Sequence, residues 1–419
     1  KSKVVDSGAQ GFVHFLEGIA NLIQSGNVRQ FLQQQFVPKE DYQLTETITP
    51  EDVAYRYCTE GMVRGSRIPL NEIKEKLLAM GDSVIVAGNE TLCRFHFHTN
   101  EPDKVFLALR QYGLITEQKV DDMVRQQDAL FKRKSDIALV TDSIADLPAD
   151  FLDDMQVFRI PLQVMVEGAP FLDQVTLTTP HLFKLLNQVE EYPTSSQPPL
   201  RRVTEALTFL LQQYDKVLML SVSGQNSGTC QTFRQAAKEV DPEGERVVVI
   251  DTKKNSGAEG LLVMKAAEAI NEGRNLQEVV ELVNQWIPRT HIYVSVATFE
   301  YMVRGGRVSP MKGKLGKWLN LKPIVSLDEN GKGIAFGSAF SQKANTQKIL
   351  GIVEKHHQEA PVDRYCVVHA DAPEKAKDYA KALEKITGKP PAYITEISPI
   401  VALNAGRGAV AVALVQTSS

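Results

Sequence analysis

After Ser135, short apolar runs alternate with longer stretches of helical period, and few architectures accommodate such a pattern. Strands are predicted at residues 137–140, 157–160, 217–220, 247–250, 292–296, 324–325 and 366–369. Helices are predicted at residues 200–214, 257–273, 276–290, 345–358 and 373–387. This alternation is typical of an α/β sheet with helices packed on it. Because ligands in open α/β sheets sit beyond the carboxyl ends of the strands, we expect a site there.

One of these strand ends leads into a loop of hydroxyl and glycine residues. The apolar strand at residues 217–220 is followed by a polar loop, and a helical pattern resumes at Gln231. The loop contains Ser223, Gly224, Ser227, Gly228 and Thr229. Such a loop gathers N–H groups and hydroxyls at a helix N-terminus, which favours a small anion. The same residues also suit an ordinary turn with good N-caps.

Neighbouring strand ends carry side chains of the same kind. The first predicted strand runs into Thr141 and Ser143, and the segment before the helix at 200–214 contains Thr194, Ser195 and Ser196. Many neutral hydroxyls with few cations suit a carboxylate that is held by shared hydrogen bonds. These loops show neither a Ser-His-Asp order nor a nucleophile elbow. The sequence therefore predicts binding, with no catalytic residue.

Residues 53–123 show a compact alternation of a different order. Strands are predicted at 54–62, 83–87, 92–99 and 115–120, and helices at 70–80 and 103–112. The order βαββαβ is the split ferredoxin-like arrangement. We expect this unit to occupy residues 49–127, after an N-terminal helix and connector in residues 1–48. The predicted fold class is thus multidomain, with an α+β unit followed by an α/β fold.

A candidate metal site lies within the ferredoxin-like unit. His96 and His98 alternate with Phe95 and Phe97, so the two imidazoles point to one face of a strand. Cys58 sits in another predicted strand and is the candidate third ligand for zinc, which binds Cys and His in tetrahedral sites. The alternative is a pair of solvated histidines beside a buried free cysteine.

Composition argues against several classes of protein. Forty-seven basic and fifty-one acidic residues give a net charge of −4, which does not indicate nucleic acid. Four scattered cysteines without a CxxC pair suit a reducing cytoplasm better than a disulfide scaffold. The longest apolar run, residues 409–415, is too short to span a bilayer.

Two basic features occur in the last third of the chain. Arg307 lies in a glycine-bearing turn and is the cation that we would pair with an anion, although a surface arginine is the ordinary alternative. Trp318 is surrounded by Lys312, Lys314, Lys317 and Lys322. This mixture suits either transient contact with an anionic membrane surface or a solvated charged face.

Four ordered motifs resemble the DegV family. They are Thr141-Asp142-Ser143 with Asp146-Leu147-Pro148, Thr194-Ser195-Ser196-Gln197-Pro198, the Ser-Gly-x-x-Ser-Gly-Thr loop at 223–229, and Arg304-Gly305-Gly306-Arg307-Val308-Ser309. The resemblance covers about Ser135 to the end. It implies two α/β subdomains, at residues 136–290 and 291–419, with one long-chain fatty acid in a tunnel between them. It also implies that the fatty acid is presented to a kinase, which phosphorylates the carboxylate.

The resemblance assigns roles to individual residues. Ser195 and Ser227 would hydrogen-bond the carboxylate, with Arg307 in the surrounding network. The ligand-binding candidates are Thr141, Ser143, Thr194, Ser195, Ser196, Ser223, Gly224, Ser227, Gly228, Thr229, Arg307, Asn404 and Arg407. The family's usual Thr-His-Thr-Gly-Pro-Gly turn reads Leu403-Asn404-Ala405-Gly406-Arg407-Gly408 here. Either Arg407 pairs with the anion directly, or the ligand is no longer an ordinary fatty acid.

The front third resembles another part of the same system. Its motifs are Val4-Val5-Asp6-Ser7-Gly8-Ala9-Gln10-Gly11, Tyr57-Cys58-Thr59-Glu60, Gly81-Asp82-Ser83-Val84 and His96-Phe97-His98-Thr99-Asn100. They are similar to the segment that follows the DhaL-like domain of fatty-acid kinases, where the matching Cys and two His bind zinc. The DhaL-like domain, which binds ATP and magnesium, is absent. We therefore expect this chain to be the C-terminal part of a DhaL–DegV fusion.

Three functions remain open on the sequence alone. The first is a fatty-acid-binding module that presents its ligand to a DhaL-type kinase domain. The second is a zinc-dependent hydrolase that uses Cys58, His96 and His98, with Glu60 as general base. The third is a non-catalytic regulatory partner of a kinase domain, with an empty or collapsed pocket.

Overall fold

The computed structural model describes residues 53–298, 300–305 and 321–418. The predicted helix and connector in residues 1–48 lie outside the described residues. The described part of the chain begins with an antiparallel sheet of four strands, in the order β2-β3-β1-β4. Its elements are β1 (Tyr57–Arg64), α1 (Leu70–Leu78), β2 (Asp82–Asn89), β3 (Leu92–Thr99), α2 (Pro102–Leu109) and β4 (Leu114–Asp122), followed by α3 (Met123–Phe131). We call β1 to α3 the ferredoxin-like unit, because the predicted βαββαβ arrangement is confirmed.

The two faces of β3 explain how this sheet packs. Phe95 and Phe97 are buried on one face, and the rings of Phe95 and Phe106 lie 5.7 Å apart, where α2 covers the sheet. His96 and His98 stand on the opposite face. Strict alternation along the strand thus separates the apolar core from the candidate metal site.

A parallel sheet follows, in the order β11-β10-β5-β6. A small antiparallel sheet, β8-β7-β9, lies beside it. We call β5 to α9 the first subdomain; it consists of β5 (Ile137–Asp142), α4 (Ala149–Asp154), β6 (Phe158–Ile160), β7 (Gln163–Val166), β8 (Ala169–Leu172), α5 (Thr179–Leu185), β9 (Thr194–Ser196), α6 (Leu200–Gln213), β10 (Lys216–Ser221), α7 (Thr229–Val240), β11 (Val247–Asp251), α8 (Ser256–Asn271) and α9 (Leu276–Trp286).

The second subdomain is built on a six-stranded mixed sheet in the order β14-β13-β12-β17-β15-β16. Only β15 and β16 pair in parallel there. Its elements are β12 (Thr290–Ser295), α10 (Glu300–Arg304), β13 (Lys322–Leu327), β14 (Gly333–Ala339), α11 (Gln342–Glu359), β15 (Val362–His369), α12 (Pro373–Thr387), β16 (Ile394–Glu396), α13 (Pro399–Ala405) and β17 (Val410–Gln416).

Helix α8 joins the two subdomains. Its first fifteen residues are almost all buried, and it contacts β5 and β10 on one side and β12, β15 and β17 on the other. The approach is close: a Cβ added at Gly257 would lie 2.7 Å from the sulfur of Cys366. The helix is therefore the shared core of both sheets. Among the described residues, no helix combines the length and the apolar character that crossing a bilayer requires.

Ion pairs dock the ferredoxin-like unit on the first subdomain. Arg56 lies 2.6 Å from Asp122 and 2.6 Å from Asp153, a residue of α4. Arg125 in α3 reaches Asp153 at 2.6 Å and donates to the carbonyl oxygen of Leu152 at 2.8 Å. The Arg125 side chain is only 8% exposed, so this contact is largely shielded from water. The two domains thus share a defined interface.

Candidate functional site

A cavity lies between the two subdomains, at the carboxyl ends of β5 and β10. The volume open to the centre of a water-sized sphere is about 120 Å³. Its polar lining consists of Ser195, Asn226, Ser227, Asn255, Ser256, Ser326 and Asn404. Its apolar lining includes Ile144, Leu162, Val222, Ile292, Val294, Met302, Val325, Val368, Ile400 and Val401. Among the described lining residues none is charged, so this wall offers neutral hydrogen-bonding groups beside an apolar surface.

Ser195 and Ser227 reach the cavity from separate elements. Ser195 belongs to β9, a three-residue strand that pairs with β7. Ser227 lies just before α7; its Oγ is 2.8 Å from Thr229 Oγ1 and accepts a hydrogen bond from the Thr229 N–H at 3.2 Å. A Cβ at Gly228 would collide with the side-chain oxygen of Gln197. The loop therefore lies directly against the segment that carries Ser195, which explains the glycine.

The other predicted hydroxyls support the loops and do not belong to the cavity lining. Ser143 Oγ accepts from the Leu162 N–H at 3.0 Å, and Ser223 Oγ accepts from the Gln225 N–H at 3.2 Å. The Gly224 N–H donates to Asp251. Thr141 is fully buried within β5. Thr194 and Ser196 flank Ser195 in β9 but are likewise not cavity-lining residues.

The two candidates in the C-terminal turn, Asn404 and Arg407, differ in their surroundings. Asn404 lines the cavity, and its Nδ2 donates to the Ile400 carbonyl oxygen at 2.8 Å within α13. Arg407 is exposed, donates to Asp371 at 2.6 Å and is not among the residues that line the cavity. Arg307 lies outside the described residues.

Two buried carboxylates beside the cavity were missed in the sequence. Asp146 accepts from the Ser398 N–H at 2.7 Å and from the Ser256 hydroxyl at 2.5 Å. Asp173 accepts from the Ile400 N–H at 3.0 Å. They therefore hold the start of α13, a wall of the cavity. Burial raises the pKa of Asp146 to about 8 and that of Asp173 to about 7. The Asp-Leu-Pro motif contained the first of them, but its partner lies 252 residues away.

The candidate metal ligands meet on the open face of the ferredoxin-like sheet. Cys58 in β1 stands opposite His98 in β3, and the Cys58 sulfur lies 3.8 Å from His96 Nδ1. One ligand atom of each of Cys58, His96 and His98 falls within 4.8 Å of the others, and no other described residues form such a group. One thiolate and two imidazoles fit zinc, which takes Cys and His ligands.

Carboxylates flank these three ligands. His96 Nδ1 lies 3.4 Å from Glu60, and His98 Nδ1 lies 3.5 Å from Asp82. A carboxylate that accepts from the second ring nitrogen commonly orients a metal-bound histidine. Glu60, the general base of the hydrolase hypothesis, also lies 3.8 Å from Lys119, whose nearer partner is Asp121 at 2.7 Å.

Comparison with known proteins identifies the larger part of the chain. Residues 136–417 match the family model described as uncharacterised protein, DegV family. The chain belongs to the DegV family. Residues 54–130, ahead of the DegV region, match the model of the middle domain of FakA-like fatty acid kinases. Both resemblances seen in the sequence are thereby confirmed.

Two similar proteins are matched over almost their whole length. A DegV domain-containing protein of Deinococcus radiodurans is 30% identical over 278 residues, which are 66% of this chain and 98% of the relative. One from Clostridium acetobutylicum is 26% identical over 282 residues, 67% of this chain and 99% of the relative. Each relative is therefore matched over nearly its whole length, by about two thirds of this chain.

Solved structures show the same fold. A DegV family protein from Thermus thermophilus, described for its fatty acid binding, has a TM-score of 0.61 at 30% identity and covers 67% of this chain and 99% of its own. DegV from Bacillus subtilis, described as a fatty acid binding protein, has a TM-score of 0.62 at 25% identity, over 68% of this chain and 100% of its own. The DegV fold of residues 136–417 is thus shared with fatty-acid-binding relatives.

Proposed function

We propose that the DegV region binds one long-chain fatty acid in the cavity between its subdomains. The convergence of Ser195 and Ser227 from two elements on one apolar cavity supports this most directly. Their hydroxyls would hydrogen-bond the carboxylate, with Arg307 in the surrounding network. Fatty acid binding by DegV relatives of 25–30% identity supports the same ligand class.

The acyl chain would supply most of the affinity. Each methylene that moves from water to an apolar surface contributes about 0.8 kcal/mol. The apolar lining, which includes Ile292, Val294 and Val325, offers that surface. The head group would then set the orientation of the ligand, because neutral hydroxyls compensate a carboxylate without forming an ion pair.

Native mass spectrometry of protein from cells grown with added fatty acid tests this function. We expect an adduct with the mass of one long-chain fatty acid, which organic extraction removes. Calorimetry with palmitate should then restore one tightly bound equivalent. If no adduct appears and the extracted protein does not bind palmitate, the proposal is refuted.

We further propose that the bound fatty acid is presented to a DhaL-type kinase domain, which supplies ATP and magnesium. The match of residues 54–130 to the middle domain of FakA-like fatty acid kinases supports this partner. A separately produced DhaL-type domain, ATP, Mg²⁺ and palmitate should yield acyl phosphate, trapped with hydroxylamine, only when this chain is present. Equal product without this chain would contradict the proposal.

Zinc at Cys58, His96 and His98 belongs to the same proposal. When bound, the metal would join β1 to β3 and stabilise the ferredoxin-like unit, since metal binding contributes to folding. We also assign the protein to the cytoplasm, because its four cysteines are free thiols. We further propose transient contact of the Lys-rich segment at 312–322 with an anionic membrane surface, which attracts clustered lysines.

A further inference from the structure

A second concave site lies between the ferredoxin-like unit and the first subdomain; we call it the cleft. The volume open to a water-sized sphere is about 640 Å³ in this cleft, against about 120 Å³ in the cavity. Volumes of several hundred cubic ångströms are typical of small-molecule sites, which often form between domains. The cleft shares no lining residue with the cavity. It is therefore a separate place on the molecule.

Two stripes of side chains face each other across the cleft. The ferredoxin-like unit contributes Leu107 from α2, Arg110 and Gln111 from the turn after it, and Leu114 from the start of β4. The first subdomain contributes His181, Lys184 and Leu185 from one face of α5, and Gln188 from just beyond its end. Each wall thus carries both cationic and apolar side chains on one face.

The apolar part of the cleft is incompletely covered. Leu114 keeps 43% of its surface exposed, although it begins β4 at the domain boundary. Leu107 on the same wall is partly exposed, whereas Leu185 on the opposite wall is only 4% exposed. Leu107 and Leu114 thus leave an apolar strip on which an aliphatic chain would lie.

One positive charge at the cleft has no ionic partner among the described residues. Arg110 pairs with Glu167, at the turn between β7 and β8, and His181 lies 2.9 Å from Asp103. Lys184 is exposed and forms no ion pair with any residue in the described part of the chain. Its ammonium group is therefore a positive charge beside the apolar strip that no neighbouring carboxylate balances.

We propose that this cleft binds an amphiphilic anion, a molecule with an aliphatic tail and one carboxylate or phosphate head. Lys184 holds the head, and the tail lies along Leu107 and Leu114. Both a free fatty acid and its phosphorylated form have this chemistry. The site stands on its own geometry and does not depend on fatty acid binding in the cavity.

Equilibrium dialysis with radiolabelled dodecanoate and dodecylphosphonate, below their micelle concentrations, tests the cleft. The full chain is first loaded with a single equivalent of palmitate, which the cavity is proposed to hold. We expect one further equivalent of at least one of the two probes. Lys184→Glu should weaken that binding at least tenfold, and Leu114→Asp should weaken it similarly. Lys343→Glu, an exposed lysine at the start of α11, is the matched control and should change nothing.

The result distinguishes the two head groups and the two sites. Binding of dodecylphosphonate alone assigns the cleft to a phosphorylated head, and binding of dodecanoate assigns it to a carboxylate. Ser227→Ala should weaken palmitate binding but leave the second equivalent intact, so either site can fail without the other. The proposal is overturned if neither probe binds the loaded protein, or if Lys184→Glu and Lys184→Gln, both checked for folding by circular dichroism, bind like wild type.

Discussion

The Ser223 hydroxyl donates a hydrogen bond of 2.9 Å to the carbonyl oxygen of Gly331. Ser223 lies in the loop after β10 in the first subdomain, and Gly331 lies at the tip of the β13–β14 hairpin in the second. Asn226 donates to the same oxygen at 2.6 Å. The hairpin also contributes Ser326 to the cavity lining. These two bonds therefore fasten one wall of the cavity across the subdomain boundary.

Replacing Ser223 by alanine should loosen this wall. The buried Gly331 oxygen loses one of two donors, so we expect the free energy of unfolding to fall by about 1–2 kcal/mol. Release of bound palmitate, followed by stopped-flow fluorescence, should become faster. Ser338→Ala, in the same hairpin but outside the cavity lining, serves as control. Equal release rates for both variants and wild type would show that the bond does not restrain the ligand.

Ser227 should matter more for binding than its neighbours in the predicted motifs. Ser227→Ala leaves a carboxylate oxygen of the bound fatty acid without a donor, which weakens binding by about 1–3 kcal/mol. Ser196→Ala removes a hydroxyl that donates to the Gln197 carbonyl oxygen at 3.3 Å and does not line the cavity. Calorimetry on the extracted proteins should therefore separate the two. An equal loss in both variants would contradict the assignment of Ser227.

Elements with a regular pattern of apolar and polar residues, or with clear end signals, were predictable from the sequence. Strand β3 spans Leu92–Thr99, as predicted, because phenylalanines and histidines alternate without a break. Helix α12 spans Pro373–Thr387, as predicted, because a proline opens it and Gly388 ends it in the left-handed conformation. Polar strand ends also led to Ser195 and Ser227, which both line the cavity.

Other elements depend on contacts that are distant in sequence. Strand β9 consists of three hydroxyl residues, which are extended because they pair with β7. The local sequence has no pattern that predicts a strand there. β7, β8, β14 and β16 were missed, as were α4, α5, α10 and α13. β17 was visible only as an apolar run, since both of its faces are buried. The acceptor role of Asp146 arises likewise only when α13 folds against it.

Asp153 should hold the ferredoxin-like unit in place. Burial alone would raise its pKa, but the guanidinium of Arg56 outweighs this and lowers it. Asp153→Asn removes the charge that Arg56 and Arg125 share, at an expected cost of about 1–3 kcal/mol. Because Lys132, Arg133 and Lys134 follow α3 in the linker, trypsin should cut the variant there faster. Asp154→Asn is the adjacent control, and equal cleavage of both would argue against a docking role.

The Cys58, His96 and His98 group should hold metal in the purified protein. Elemental analysis is expected to find roughly one zinc per chain, as for a site with one thiolate and two imidazole ligands. His98→Ala should lose this zinc, and His357→Ala, which lies in α11 far from the group, should keep it. A chelator should lower the melting temperature of the wild type and of His357→Ala but not that of His98→Ala. Full zinc content in His98→Ala would refute the site.

The buried Asp146 carboxyl should make stability depend on pH. Its pKa is about 8 in the folded protein, mainly because of burial, against about 3.9 in an unfolded chain. Because the pKa is higher in the folded than in the unfolded protein, the protonated Asp146 carboxyl favours the folded state. Its contribution to the free energy of unfolding is complete below about pH 4. It is lost as the pH rises to about 8, by up to about 1.4 kcal/mol per pH unit. In Asp146→Asn the midpoint of urea denaturation should change less with pH between pH 5 and 8 than in the wild type, whereas the exposed Asp378→Asn should behave like the wild type. An unchanged slope in Asp146→Asn would mean that Asp146 is ionised when folded.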